Sequence, residues 1–485
     1  MMKRKTLKKM LRVPLQVFFS NILTFGGLRK FVLGYIDKSL YQNYLKFNRR
    51  NRPIKVQEDK AAMVSSILHA VDRGLREGTI SQNVWQKFFR SLSSVYANDK
   101  DRIQDFAKKY GSEPPGFITI SPGAFCNLEC SGCYANSSTE KKKKLDYSLV
   151  TRIVSEQKKL WGSHFTVISG GEPLLWNDQG KTVFDLAKEH SDTFFLMYTN
   201  GTAITRKVAQ KFAEVGNITP AISVEGFEAE TDKRRGKGVH KKIIDAFDNL
   251  KKVGVPFGVS ATVTRENVEI IKSKEFFDYY LYKQGALYCW MFQYMPIGRG
   301  VNFDNVVTPE QRISLYKKTW EYIRNEKMFI ADFWNCGTVS NGCISGGVHG
   351  GYIYIDWNGN VMPCVFNPYY THNIKEIYAN GGTIDDALFS PFFEGIRKWQ
   401  NSYAFTSSPK EMGNVIAPCA IRDHFDMMHS LISETGAKGG DEQAQLAITD
   451  EDFKNNLLEY GKHINDLSSS IWQNEYLEPE KEKIN

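Results

Sequence analysis

Six short β-rich runs alternate with helical segments between Gly116 and Gly300, at a spacing of roughly 30 residues. The runs are Phe117–Ser121, Phe165–Ser169, Phe194–Thr199, Ala221–Val224, Phe257–Thr262 and Cys289–Met295. Helical periodicity fills the gaps at Leu149–Trp161, Lys207–Val215, Lys242–Val253 and Val268–Tyr282. A strand followed by a helix returns to its sheet in the same direction, so this order dictates a parallel α/β sheet. Six units fall short of the eight that close a complete barrel. A partial (β/α)6 TIM-type barrel is therefore expected, with its chemistry at the C-terminal ends of the strands. Aromatics make up 13% of the 485 residues, which excludes a disordered chain, and no fixed period suggests a solenoid.

The flanks divide the rest of the chain. Glu113-Pro114-Pro115-Gly116 ends a helical lead-in at 46–115, where Met63, Ile67, Leu68, Val71 and Leu75 share one face. Trp85, Phe88, Phe89 and Leu92 share another. The barrel is expected over 116–305, ending near Gly298-Arg299-Gly300. A helix at Pro309–Asn325 opens a Cys- and Gly-rich α+β domain over 306–430. Within it Asn358-Gly359 marks a hairpin between Tyr352–Asp356 and Val361–Cys364. The tail, 431–485, holds 12 acidic and 5 basic residues and reads as a peripheral acidic helical extension.

Residues 1–60 carry 15 Lys and Arg against 3 Asp and Glu, while the whole chain carries 63 against 54, so the basicity belongs to one arm. In residues 1–45 a helical apolar spacing occurs twice. Leu15, Phe18, Phe19, Ile22 and Leu23 precede Gly26-Gly27, and Leu28, Phe31, Val32, Tyr35 and Ile36 follow. Two short basic amphipathic helices with a glycine hinge suit a membrane interface, and equally a face docked on the protein's own domain. Arg49, Arg50 and Arg52 bring no recognition motif, so no nucleic-acid partner is expected. The longest uncharged stretch here, Val13 to Leu28, is 16 residues with Pro14, Gln16 and Asn21 inside. A spanning helix needs ~20, which excludes a polytopic membrane protein. No small-residue cleavage site follows, and the expected location is the cytoplasm, peripheral on the inner face of the membrane.

Eight cysteines are sparse and clustered, unlike the framework of a small secreted domain, which favours metal-bound thiolates in a reducing compartment. Cys126, Cys130 and Cys133 form CxxxCxxC just after the first run. Three thiolates on one loop hold three irons of a cubane and leave the fourth open, unlike a four-thiolate ferredoxin site. A structural zinc would want a fourth ligand nearby, and the nearest His is His164, beyond the next helix. Ser169-Gly170-Gly171-Glu172-Pro173 ends the second run, Thr199-Asn200-Gly201 the third and Ser223-Val224-Glu225-Gly226 the fourth, with Arg235-Gly236-Lys237-Gly238 beyond.

This series resembles the radical S-adenosylmethionine (SAM) superfamily from about Gly116 to Gly300. The resemblance implies a SAM-binding [4Fe–4S] cluster on Cys126, Cys130 and Cys133. It also implies SAM contacts from Gly170, Gly171, Glu172, Pro173, Asn200 and Ser223, with Arg235 on the SAM carboxylate. A departure is Gly132, where the family often has an aromatic residue. Cys343, Gly359 and Cys364, spaced C-x15-G-x4-C, with Cys336 before and Cys419 after, resemble the SPASM and twitch extensions of that superfamily. That resemblance implies one auxiliary [4Fe–4S] cluster in the shorter twitch form; a four-thiolate zinc is the rival. Cys289 reads as a buried inert thiol.

The family's reaction is reductive cleavage of SAM to a 5′-deoxyadenosyl radical that removes hydrogen from an unactivated C–H bond, with electrons from a reductant such as flavodoxin or ferredoxin. No catalytic acid or base is assigned. Val365 after Cys364 disfavours the sulfatase-maturing branch, which has an acidic residue there. The amphipathic arm points first to a membrane-associated lipid-like substrate. A peptide- or protein-modifying enzyme comes second, and a non-enzymatic zinc-stabilised membrane or RNA adaptor third.

Overall fold

The computed structural model describes residues 26–48, 50–97, 99–347 and 349–478. The six expected strands are β1 (Phe117–Ile120), β2 (Phe165–Ile168), β3 (Phe194–Thr199), β4 (Ile218–Val224), β5 (Gly258–Val263) and β6 (Cys289–Gln293). They pair in sequence order and in parallel. Along β6, Cys289, Met291 and Gln293 are buried while Trp290 and Phe292 stay partly open. This period of two sends one set to the outer helices and the other into the barrel interior. Helices cover the outside at Tyr147–Trp161, Val183–Glu189, Arg206–Val215 and Val239–Val253. In the first, Val150, Ile153, Val154, Gln157 and Trp161 are buried, one stripe at helical spacing.

Two more parallel strands extend the sheet. β7 (Ile330–Asp332) joins β6, and β8 (Tyr352–Ile355) joins β1. β8 turns through Asn358-Gly359 into antiparallel β9 (Asn360–Met362), with Gly359 at φ +92°, and β10 (His372–Asn373) completes a ten-stranded sheet. The hairpin is where the turn signal put it; its place beside β1 is new. A strand of three or four residues carries no readable period, and its partner is more than two hundred residues away. The barrel segment and the Cys-rich segment thus share one continuous sheet.

Elsewhere the structure departs from the sequence reading in three places. The segment read as one helix, Val268–Tyr282, is broken into Val268–Ile271, Lys274–Phe277 and Asp278–Lys283, because the Ser273 hydroxyl caps the Phe276 N–H and starts a new helix. The arm's first half lies outside the described residues, and Gly26-Gly27 open the helix Gly26–Lys46. There Leu33 is buried and Asp37 bonds Ser65 and His69 on the lead-in helix Ile54–Arg76.

The tail is not peripheral. Phe453, Leu457, Ile464, Ser468 and Ile471 bury one face of Glu451–Ile471, and beyond it Tyr476 donates to the buried Asp59 of the lead-in at 2.7 Å. Its acidic residues hold the opposite face, which composition alone cannot separate from the buried one.

Candidate functional site

Two cavities hold seven of the eight cysteines. The first, about 310 Å³, lies in the barrel interior and is lined by Cys126, Cys130 and Cys133 together with Gly170, Gly171, Asn200, Ser223 and Arg235. All these residues follow or end β1–β4, because parallel strands deliver their C-terminal ends to one rim.

The cysteine loop is clamped from three sides. Gly171 and Glu172 donate their N–H groups to Gly123 O and Phe125 O. A Cβ on Gly171 would stand 2.1 Å from Phe125 O, so this approach admits only glycine. Tyr134 Oη lies 2.6 Å from Ser169 Oγ and accepts from Gly170 N, tying the loop to β2. After β6, Arg299 donates to Cys130 O at 3.0 Å and to Ser137 O. Gly298 (φ +71°) passes so near that a Cβ would meet Tyr134 O at 2.3 Å. Arg299 lies in the Gly298-Arg299-Gly300 segment near the end of the barrel, and nothing local in the sequence marks it as a clamp.

Arg234 and Arg235 share the buried Glu225. Arg235 donates to its Oε1 through Nε and Nη2, and Nη1 lies 3.9 Å from Cys130 Sγ. Burial pulls the Arg235 pKa down, but Glu225 and the Cys130 thiol outweigh it and hold the guanidinium above its ordinary range. Arg234, absent from the sequence reading, donates to Glu225, to Thr262 and to the Ser131 and Gly132 carbonyls. Two cations on one carboxylate leave positive charge beside the thiols, which suits an anionic thiolate centre.

Asn200 reaches Asn127 Oδ1 at 2.9 Å and Cys126 Sγ at 3.8 Å, and Ser223 Oγ lies 3.3 Å from Ser260 Oγ. Glu172 and Pro173 follow Gly170 and Gly171 but are not among the residues that line the cavity. The Glu172 carboxylate accepts from Thr199 Oγ1 at 2.6 Å, Asn200 N at 2.8 Å and Leu174 N at 3.1 Å, locking β3 to β2. Burial raises its pKa against those bonds. The far wall is apolar, with Trp290, Phe292, Phe333, Tyr352 and Phe366, and Tyr198 packs its ring on Phe292 at 5.3 Å.

The second cavity, about 320 Å³, is lined by Cys336, Cys343, Cys364 and Cys419, with Met63 and Ile67 of the lead-in helix. Cys336 follows β7 and Cys364 follows β9. The Cys419 N–H donates to Asp423 Oδ2, whose carboxylate also takes two bonds from Arg312 at 2.6 and 3.0 Å. Cys364 Sγ lies 2.9 Å from Tyr352 Oη and accepts from Phe366 N. Cys289, in neither cavity, is fully buried, as an inert thiol should be.

No histidine lines either cavity. Among the described residues no three His, Cys, Asp or Glu side chains close on a point the size of a single ion. Thiol-only donor sets suit iron–sulfur clusters, and in the second cavity a four-thiolate zinc as well. Burial pushes the Cys126 thiol up to about 11 and Cys364 to about 12. Metal binding must therefore displace protons from thiols that otherwise keep them.

The sequence matches the Radical SAM superfamily model over residues 120–276. An AdoMet-dependent heme synthase of Methanosarcina barkeri is 27% identical over 295 residues, 54% of this chain and 80% of that protein. The mycofactocin maturase MftC of Mycolicibacterium smegmatis is 28% identical over 328 residues, 65% of this chain and 77% of that protein. Streptococcus suis SuiB bound to precursor peptide SuiA aligns with 61% of this chain and 70% of its own, at 18% identity and a TM-score of 0.49.

Proposed function

This chain is a radical SAM enzyme that uses SAM and [4Fe–4S] clusters, and we propose that it modifies a ribosomally made peptide or protein. In this reading Cys126, Cys130 and Cys133 hold the open-iron cluster, and Gly170, Gly171, Asn200, Ser223 and Arg235 hold SAM. Cys336, Cys343, Cys364 and Cys419 hold the auxiliary cluster. The observation that carries it is the sorting of seven cysteines into two cavities, three with the glycine, serine and arginine groups and four apart from them. When bound, the open-iron cluster and SAM supply the 5′-deoxyadenosyl radical that takes hydrogen from a substrate C–H bond. The chain's own part is to hold that chemistry still and dry. Arg234 and Arg235 keep positive charge at the thiols, and the aromatic wall excludes water from the reacting face.

A peptide is supported by the relatives more than by the size of the first cavity. Its 310 Å³ stands at the low end of the ~300–1,000 Å³ of small-ligand sites and must also admit part of SAM. A maturase among the relatives agrees with this choice. The lipid-like substrate, ranked first on the arm alone, gains no support from the relatives. A membrane-surface location keeps one observation in its favour: Phe31 and Tyr35, one turn apart on Gly26–Lys46, are 75% and 69% exposed. Among the described residues no helix is long and apolar enough to cross a membrane. The enzyme needs an external one-electron reductant of flavodoxin or ferredoxin type, and its eight free cysteines suit a reducing cytoplasm.

The test is anaerobic reconstitution with dithionite and SAM, measuring iron, sulfide and 5′-deoxyadenosine, followed by comparison of peptides and lipids from cells with and without the gene. A mass change confined to lipids would overturn the peptide assignment.

A further inference from the structure

Tyr352 stands between the two cavities. Its ring lines the first and lies flat on Phe117, with centroids 4.9 Å apart and planes 1° from parallel. Its hydroxyl oxygen lies 2.9 Å from Cys364 Sγ, in the wall of the second. The Val365 N–H donates to that same oxygen at 3.2 Å, which leaves the hydroxyl proton free for the sulfur. A metal-bound sulfur has no proton of its own, so the bond then has one polarity only, O–H to S.

We propose that Tyr352 is a positioning residue that raises the reduction potential of the auxiliary cluster by donating a hydrogen bond to the Cys364 sulfur. The inference rests on the reading of Cys336, Cys343, Cys364 and Cys419 as that cluster's ligands. Hydrogen bonds to cluster sulfurs stabilise the reduced, more negative state and are one of the means by which a protein sets potential. The four thiols are unequal in this respect. Cys364 faces two donors, Tyr352 and the Phe366 N–H at 3.4 Å, and Cys343 lies 3.2 Å from Ser345 Oγ. Among the described residues no hydrogen bond reaches the sulfur of Cys336 or Cys419. The backbone donor survives any change of side chain, so the Tyr352 hydroxyl is the part that can be removed. With 2% of its surface exposed and its ring stacked, Tyr352 has no room to turn away.

The experiment is an EPR-monitored redox titration of the reconstituted full chain and its Tyr352→Phe variant. Removing the hydroxyl alone should move the auxiliary midpoint to more negative potential. A tenfold fall in the reduced fraction at fixed potential, about 59 mV for a one-electron couple, is expected. Total iron should be unchanged. A fluorinated tyrosine at position 352, a stronger donor of the same shape, should move the midpoint the opposite way, and it serves if the phenylalanine variant does not fold. Two clusters present with an unmoved midpoint in either variant would overturn the role of Tyr352. Iron for a single cluster in the unaltered protein would instead overturn the ligand assignment and this inference with it.

Discussion

The two cysteine groups are built in opposite ways. Cys126, Cys130 and Cys133 sit within eight residues on one loop, whose shape is imposed by backbone contacts and by Arg234 and Arg299 from outside. Cys336, Cys343, Cys364 and Cys419 span more than eighty residues and arrive from the ends of β7 and β9 and from a loop braced by a buried ion pair. A local group can leave one side open to a ligand, because its own loop holds it whether or not that side is filled. A dispersed group is held by the fold, so it encloses what it binds. In the proposed reading this difference goes with SAM chemistry in the first cavity and an auxiliary redox centre in the second.

The sharpest way to break this contrast is to remove the local group. Changing Cys126, Cys130 and Cys133 to Ala should abolish 5′-deoxyadenosine formation while leaving about half of roughly eight irons per chain. SAM cleavage that survives, read by chromatography, would refute the open-iron assignment.

Next comes the brace of the dispersed group. Arg312 and Asp423 are both buried, and Asp423→Ala leaves an uncompensated cation in the interior. A loss of about 3–5 kcal/mol in denaturant unfolding is expected, with the auxiliary iron lost before the first cluster's. Iron lost equally from both groups would mean that they are not independent.

Arg235→Ala should be milder. One charge-assisted contact is worth about 1.5–3 kcal/mol, or roughly ten- to a hundred-fold in SAM affinity, with both clusters retained. Equilibrium SAM binding is the measurement. Unchanged affinity would limit Arg235 to the Glu225 and Cys130 contacts.

The smallest effect belongs to the arm, whose described part, Gly26–Lys46, lines neither cavity. Phe31→Ser with Tyr35→Ser should leave iron and SAM cleavage unchanged and weaken sedimentation with anionic liposomes by a few-fold, since each ring, only partly buried at the interface, contributes on the order of 0.5 kcal/mol. Binding indifferent to both substitutions and to salt would remove the membrane surface from the proposal.

By itself the sequence determined what depends on neighbours in the chain. The six parallel units, the hairpin at Asn358-Gly359, the CxxxCxxC loop and the glycines that close on it are legible because period, turn chemistry and short spacing are local properties. For the same reason the motif names Glu172 but not the direction of its carboxylate, which Thr199 and Asn200 set from the next strand. Only the tertiary structure decided that β8 docks beside β1, that Arg234 and Arg299 grip the cysteine loop and that the acidic tail buries Tyr476 against Asp59. It alone placed Tyr352 between the cavities. Each of these is a pairing of groups far apart in the chain, where many partners satisfy the same local pattern and packing in the folded state selects one.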